Sequence, residues 1–323
     1  MKLRWTGGTA FDVAASATCA VCGTRKVPYL PRCSACGSPS PKGGDPGTSL
    51  SPEKAPGTTR VAHLTDLHVG KSDERRAYVE GWLGELARVG VDVVAVSGDL
   101  VERARDDGGL ATVARLLARA GVASVVVPGN HDVEGPDERP AFDRHFSGAY
   151  PRVETHQGVD FLLVDSTAGL PRDERGAAER AFAKFFCWTE GRVGQPALEA
   201  LARSLVGRPP RPRVLVLHHH LVHQPAELVP HPSVGVRESV IGTMRALHDA
   251  AVVRSFCERH RVQLVLHGHK HAMTRAGVQA GHILVLNGGS STQASAGGTV
   301  RARVVDVPLD AGGATRVHEA ALC

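Results

Sequence analysis

Val125–Asp132, VVVPGNHD, is an apolar run of strand character that stops at Pro128-Gly129 and then delivers Asn130, His131 and Asp132 together. A buried strand that ends in a Gly-bearing turn carrying an amide, an imidazole and a carboxylate is well built to place ligands at a sheet edge. Gly-Asn is also ordinary turn chemistry. The weight of this stretch therefore depends on whether other strands end in the same way.

They do. RVAHL runs into Thr65-Asp66-Leu67-His68, and DVVAVS runs into Gly98-Asp99. RVLVL runs into His218-His219-His220, and VQLVLH runs into Gly268-His269-Lys270-His271. The first three of these five strands alternate with helical spacing over Asp73–Val89 and Leu110–Ala120, a β-α-β-α-β order that argues for parallel strands with right-handed crossovers. Val159–Val164, His282–Leu286 and Val300–Val307 also read as strands, and the last few are joined by short Gly-rich turns. The pattern predicts a mixed α/β fold with two sheets. In an open parallel sheet the C-terminal strand ends share one edge, where ligand sites form.

The donor types point to chemistry. Asp66, His68, Asp99, Asn130, one histidine of the triplet, His269 and His271 offer nitrogen and oxygen without thiolate, which suits Mn, Fe or Zn in hydrolytic use. Seven donors are too many for one tetrahedral ion and suit two ions that share a carboxylate. In Asp66-x-His68 and His269-x-His271 the paired side chains face one way only in extended backbone. Otherwise a turn must re-aim them, with the preceding glycines supplying freedom in the later motifs.

These five blocks, in this order over residues 60–290, resemble the calcineurin-like metallophosphoesterase superfamily. Within it, Gly194–Leu198 and LVLHGHKH resemble bacterial class III cyclic-nucleotide phosphodiesterase-like members. The resemblance implies two mixed sheets packed as a sandwich flanked by helices. It implies one divalent ion on Asp66, His68 and His271, a second on Asn130, His219 and His269, and Asp99 between them. His219 is the choice within the triplet, although Leu221 stands where the family often has proline. The implied reaction is hydrolysis of a phosphate ester, a phosphodiester by expectation, by in-line attack of a metal-bridging hydroxide. His131 is then the group that faces the leaving oxygen. Asp132 is expected either to orient an imidazole or to cap a helix.

Ahead of this region, Cys19-x-x-Cys22 and Cys33-x-x-Cys36 have the spacing of a four-thiolate site, and one structural zinc is expected there. The domain boundaries read as a tail over 1–16, a zinc-ribbon-like module over 17–38, a Pro/Gly/Ser linker over 39–59 and the large domain over 60–323. Zinc ribbons bind nucleic acid or protein or merely fold, and Arg25, Lys26 and Arg32 make a thin case for nucleic acid. The chain has 323 residues, 42% hydrophobic, with a net charge of +5 spread along its length and not gathered into a stripe. No apolar run approaches the ~20 residues that span a bilayer. With paired cysteines read as metal ligands, the expectation is a soluble cytoplasmic protein acting on a small phosphate ester such as a cyclic nucleotide.

Two other function classes share these residues: a non-catalytic scaffold on the same fold, and a nuclease directed by the ribbon. The scaffold reading expects lost ligands or a lost histidine beside Asn130, and neither is lost. A protein phosphatase would use the same core. His63 and His267 read as core side chains, and Cys187, Cys257 and Cys323 as free thiols. The long segments Ser166–Gly194 and Leu221–Thr243 are expected to wall a substrate pocket, with His223, His231 and Arg237 within reach of it.

Overall fold

The computed structural model describes residues 1–11, 53–133, 139–167, 191–221, 247–271, 273, 275–277, 283–294, 299–310 and 313–323. The four paired cysteines, Cys187, His223, His231 and Arg237 lie outside the described residues. In chain order the elements begin with β1 (Leu3–Phe11), β2 (Thr58–Leu64), α1 (Asp73–Arg88), β3 (Val93–Val96), α2 (Asp107–Arg119) and β4 (Ala123–Val126). Then come α3 (Arg139–His145), β5 (Arg152–His156), β6 (Val159–Leu163), α4 (Gln195–Leu205), β7 (Arg213–Val216), α5 (Ala250–Arg259) and β8 (Val262–His267). The chain closes with β9 (Arg275–Gly277), β10 (Leu284–Asn287), β11 (Val300–Pro308) and β12 (Thr315–Leu322).

Two six-stranded mixed sheets result, in the orders β1-β12-β11-β2-β3-β4 and β5-β6-β7-β8-β10-β9. In the first, β2, β3 and β4 are parallel; in the second, β6, β7, β8 and β10 are parallel. Helical crossovers therefore serve both sheets. The α4 and α5 stretches carry β6 to β7 and β7 to β8, and β10 lies parallel to β8, so these two late strands do not form a hairpin across their Gly-rich connection.

The alternation of side chains explains the layering. Val61, Val93, Ala95 and Val125 face Phe161, Leu163, Val214, Val216, Leu264 and Leu286 in one cluster between the sheets. The alternate residues Ala62, Leu64, Val94 and Val96 pack outward on Val79, Trp82 and Leu86 of α1 and on Leu110, Val113 and Leu117 of α2. Leu162, Leu215 and Val265 do the same against Leu198, Leu201, Val253 and Phe256 of α4 and α5. Ser72 caps α1 through Arg75 N, and Asp106 caps α2 through Gly109 N. The second cap moves the start of α2 ahead of the apolar residue Leu110, where the periodicity first becomes visible. α1 ends on Gly90 at φ +72°, with Gly90 N on Ala87 O and Val91 N on Leu86 O, the paired closure that favours glycine.

The first residues are not a tail. β1 pairs antiparallel with β12 from Leu3↔Leu322 to Phe11↔Thr315, with a bulge between Trp5 and Gly7. Its partner is the last strand of the chain, and Gly7-Gly8 breaks its alternation, so local sequence gives little sign of it. The expected linker also ends early: Lys54 pairs with Asp92 at 2.6 Å, and Ala55 N donates to Asp306. The Cys-bearing segment thus lies, in chain order, between two strands of one sheet. Phe11 and Thr58 are both at the sheet end opposite the C-terminal ends of β2, β3 and β4.

That far end is held by a buried ion pair. Arg60 on β2 lies directly across from Asp306 on β11. Arg60 Nε donates to Asp306 Oδ1 at 2.7 Å and Nη2 donates to Oδ2 at 2.9 Å, a bidentate fork. His318 Nε2 of β12 lies 3.2 Å from Oδ2, and Trp5 of β1 covers both Arg60 and His318. Burial opposes the charge on Asp306, but the bonds from Arg60 and His318 outweigh it and hold the carboxyl at about 2. Its pKa is depressed below the unfolded value of about 3.9, so this stability is present above pH 4 and is lost as pH falls towards 2. Asp306→Asn leaves a buried guanidinium unpaired and is expected to cost about 3–5 kcal/mol. Urea melts should show that loss at pH 6, and the gap between wild type and variant should narrow by pH 3.

Candidate metal centre

All five polar strand ends meet where the C-terminal edges of the two sheets adjoin. The pairing of β2 with β3 continues past the strands: Asp66 N donates to Gly98 O at 3.0 Å, His68 N to Asp99 O at 3.0 Å, and Val69 N to Leu100 O at 2.9 Å. Across the sheets, His269 N donates to both oxygens of Asp66, at 3.2 and 3.0 Å. Asp66, Asp99, His68 and Asn130 are all buried, as are the three histidines of the triplet.

The backbone reaches this arrangement through left-handed turns at the donor residues themselves. Asp66, His68, Asp99, His269 and His271 have φ between +45° and +77°, five of the seven non-glycine residues with positive φ among those described. Each such turn costs on the order of 1 kcal/mol. This is the turn alternative to an extended Asp-x-His. The neighbouring glycines mostly supply space instead. Only Gly98 is itself left-handed, at φ +93°. A Cβ on Gly129 would strike the Asp99 carboxylate, and one on Gly268 would strike Asp66 and Thr65.

Two groups of donors form. In the first, His271 Nε2 lies 3.1 Å from Asp66 Oδ1 and 3.2 Å from His68 Nε2. In the second, His218 Nε2 lies 3.0 Å from Asn130 Oδ1, 3.2 Å from His269 Nδ1 and 3.4 Å from Asp99 Oδ2. Asp99 Oδ2 is also 3.8 Å from His68 Nε2, so one carboxylate oxygen touches both groups. Of the triplet, where the middle histidine is expected, His218 supplies the nitrogen that lies closest to Asn130, His269 and Asp99. β7 ends at Val216; His218 Nε2 reaches Asn130, while His219 packs its ring on His269 with centroids 4.7 Å apart and sets Nδ1 against the segment after β6. There Ser166 Oγ is 2.8 Å from His219 Nδ1. The ring of His220 stacks behind His269 with centroids 6.2 Å apart.

Electrostatics suit a cation. Burial, with His219 and His218 nearby, holds His269 well below the usual histidine range, and burial carries His68 down to about 4 despite Asp99 and Asp66. Both rings are therefore neutral and ligand-ready near pH 7. Burial also opposes charge on His218, but Asp99 outweighs it and lifts this imidazole to about 9. A proton there balances Asp99, in a spot where a divalent ion would balance it better. The donor set fits two metal ions: nitrogen and oxygen atoms only, mutually aimed, with Asp99 between the two groups.

His131 sits at the edge of this cluster. Its backbone N–H donates to Asp99 Oδ1 at 2.9 Å, and its Nδ1–H donates to Glu102 O at 2.9 Å, which turns the other nitrogen towards Asp99 and His68. Among the described residues, no hydrogen bond links the Asp132 side chain to an imidazole. Its Oδ1 accepts from Leu100 N at 2.8 Å and Val101 N at 3.1 Å, and its Oδ2 accepts from Gly129 N at 2.8 Å. The carboxylate thus binds the β4 turn to the β3 loop. Burial and Asp99 push its carboxyl up to about 8, against the pull of these N–H groups. His63 and His267 are buried core side chains, with His63 Nε2 2.8 Å from Ser97 Oγ.

Several residues escaped sequence reasoning. Ser97 O accepts from His218 Nδ1 at 2.8 Å, and Gln293 Oε1 accepts from His271 Nδ1 at 2.8 Å. Glu102 Oε2 lies 3.1 Å from His68 Nδ1. Thr292 Oγ1 donates to Leu67 O at 2.7 Å, and Ser290 Oγ donates to Asp66 O at 2.9 Å. The signal for some was present. β6 runs into Asp165-Ser166-Thr167, and β10 into Asn287-Gly288-Gly289-Ser290-Ser291-Thr292. These are two more polar strand ends at the same edge.

No curated protein matches the chain. Among solved structures, a dimetal phosphatase from Danio rerio superposes with a TM-score of 0.56 at 13% identity, over 77% of this chain and 92% of that one. Purple acid phosphatase PPD1 from yellow lupin (Lupinus luteus) seeds gives 0.51 at 13% identity, over 81% and 51%. Both likenesses concern the fold. The calcineurin-like phosphoesterase family model matches residues 59–273, from the start of β2 to just past His271, and the chain therefore belongs to that family.

Proposed function

We propose that this chain hydrolyses a phosphate diester with two divalent cations, one held by Asp66, His68 and His271 and one by Asn130, His218 and His269, with Asp99 shared. The observation that carries the reading is the reach of Asp99 Oδ2 to His218 at 3.4 Å and to His68 at 3.8 Å. When bound, the two cations supply Lewis acidity at the phosphoryl oxygens and an activated water.

The chain's own residues do the rest. Asp66 and Asp99 set the negative charge that fixes both cations. Asn130 contributes a neutral oxygen and keeps the second group from carrying a further full charge. His131 lies beside Asp99 and His68 with Nδ1 on Glu102 O, and its assigned role is to bond a phosphate oxygen and hand a proton to the departing alkoxide. Asp132 holds the turn that carries His131.

The preference for a diester, and for a small one such as a cyclic nucleotide, rests on the likeness of Gly194–Leu198 and LVLHGHKH to class III members. By the same reading, Cys19, Cys22, Cys33 and Cys36 hold one structural zinc, and the chain works in the cytoplasm. No described helix is long and apolar enough to cross a membrane.

With added Mn, purified protein is expected to cleave bis-p-nitrophenyl phosphate faster than p-nitrophenyl phosphate. A faster monoester reaction would reverse the diester assignment, and no turnover with Mn, Fe or Zn would remove the enzyme reading. His131→Ala should lower kcat about 10²–10⁴-fold with both cations retained. Metal analysis separates the triplet: His218→Ala should lose one equivalent of the two, and His219→Ala should keep both.

A further inference from the structure

Beyond the donor residues, we infer that Glu102 is a positioning residue that sets the affinity of one of the two cations through His68 while its own backbone aims His131. The inference rests on the two-cation reading above.

The geometry comes from the loop. After β2 and β3 end, the two chains stay side by side, with Val69 bridged to Val101 and Glu102 N donating to Val69 O at 3.3 Å. This pairing brings Glu102 alongside His68. From the other side, Asp132 Oδ1 fixes Leu100 N and Val101 N, so the residues just before Glu102 are tied to both neighbouring strand ends. The carbonyl of Glu102 then receives His131 Nδ1–H at 2.9 Å, and its carboxylate divides. Oε2 lies 3.1 Å from His68 Nδ1, at ion-pair distance but outside hydrogen-bond geometry, and Oε1 accepts from Lys71 Nζ at 3.1 Å.

The two contacts do different work. A carboxylate beside the outward nitrogen of a metal-binding imidazole fixes its tautomer, orients the ring and raises its basicity, and loss of such a partner typically weakens metal binding 10–100-fold. His68 Nε2 points at Asp66 and His271, so the effect falls on the cation held there. The carbonyl contact to His131 does not depend on the side chain. A change confined to the carboxylate should therefore weaken one cation and leave His131 aimed. Lys71 lies at the rim, half exposed, and steers the carboxylate from the solvent side.

The test is a Mn titration of metal-stripped full-length protein by calorimetry, with kcat on bis-p-nitrophenyl phosphate measured across the same Mn range. Mn is chosen because thiolate sites prefer softer ions. Wild type should bind two equivalents. Glu102→Gln should bind one equivalent as wild type does and the other 10–100-fold more weakly, with kcat restored to within several-fold at saturating Mn. Glu102→Ala should reproduce the split with a larger Mn requirement. Unchanged affinity for both equivalents would overturn the assignment. So would equal weakening of both, with a lower Tm and no recovery at high Mn, which is the pattern of a structural side chain. Failure of wild type to bind two equivalents would instead remove the two-cation reading on which the assignment stands.

Discussion

Asp66 and Asp99 are carboxylates with almost no exposed surface, placed at the ends of adjacent parallel strands. Two buried negative charges in one small volume are costly unless opposite charge is supplied. The surrounding protein does so only in part. Asp66 takes the Thr65 hydroxyl at 2.7 Å, the His269 amide and His271 Nε2 at 3.1 Å, and Asp99 takes the His131 amide and raises the pKa of His218. The imidazoles of His68 and His269 stay neutral. Burial opposes charge on His68, His269, His218 and His271 alike, and the two carboxylates draw the last two up at a desolvation cost that a bound cation would remove. A fold that maintains this arrangement, with five residues held in left-handed backbone, fits a site built for cations better than one built for packing.

The strain is distributed in an instructive way. Glycine would be the cheap residue for positive φ. Here five of the donors are themselves left-handed, and two of the adjacent glycines are used for clearance. Gly129 lets the β4 turn close on Asp99, and Gly268 lets the β8 turn close on Asp66. Each glycine brings a strand end from one motif against the carboxylate of another. The motifs are therefore not five independent attachments to a common edge. They are mutually docked, and moving one turn moves the carboxylate that a second turn depends on.

How much of this was legible in the sequence follows from which contacts are local. The strand ends carry their donors within a few residues, so Asp66, His68, Asp99, Asn130, His269 and His271 could be read directly, as could the parallel order of β2, β3 and β4. His218 could not be separated from His219, because successive residues after a strand point in different directions and the turn alone decides which enters. The bonds of Asp132 are hidden for a similar reason. Its three partners are backbone N–H groups, two of them in the loop after β3, and a sequence shows carboxylates but not which amides need an acceptor. β1 was hidden because its partner is at the other end of the chain, and the Arg60–Asp306 fork because its members are 246 residues apart.

The three imidazoles with identified partners on their outward nitrogens divide by the kind of atom that orients them. His68 faces a carboxylate and His271 an amide side chain, whereas His218 donates to the carbonyl of Ser97. A backbone acceptor cannot be removed by substitution and moves only if β3 moves. The group around His218 is therefore set by the sheet itself, at the junction of β3 and β7. The group around His68 and His271 is set by two side chains on loops, and one of them, Gln293, belongs to a stretch that follows β10. Substitution can tune the second kind of support without disturbing the fold. Differences in metal affinity or preference between relatives with this core should accordingly arise at the positions of Glu102 and Gln293 before they arise at the donors.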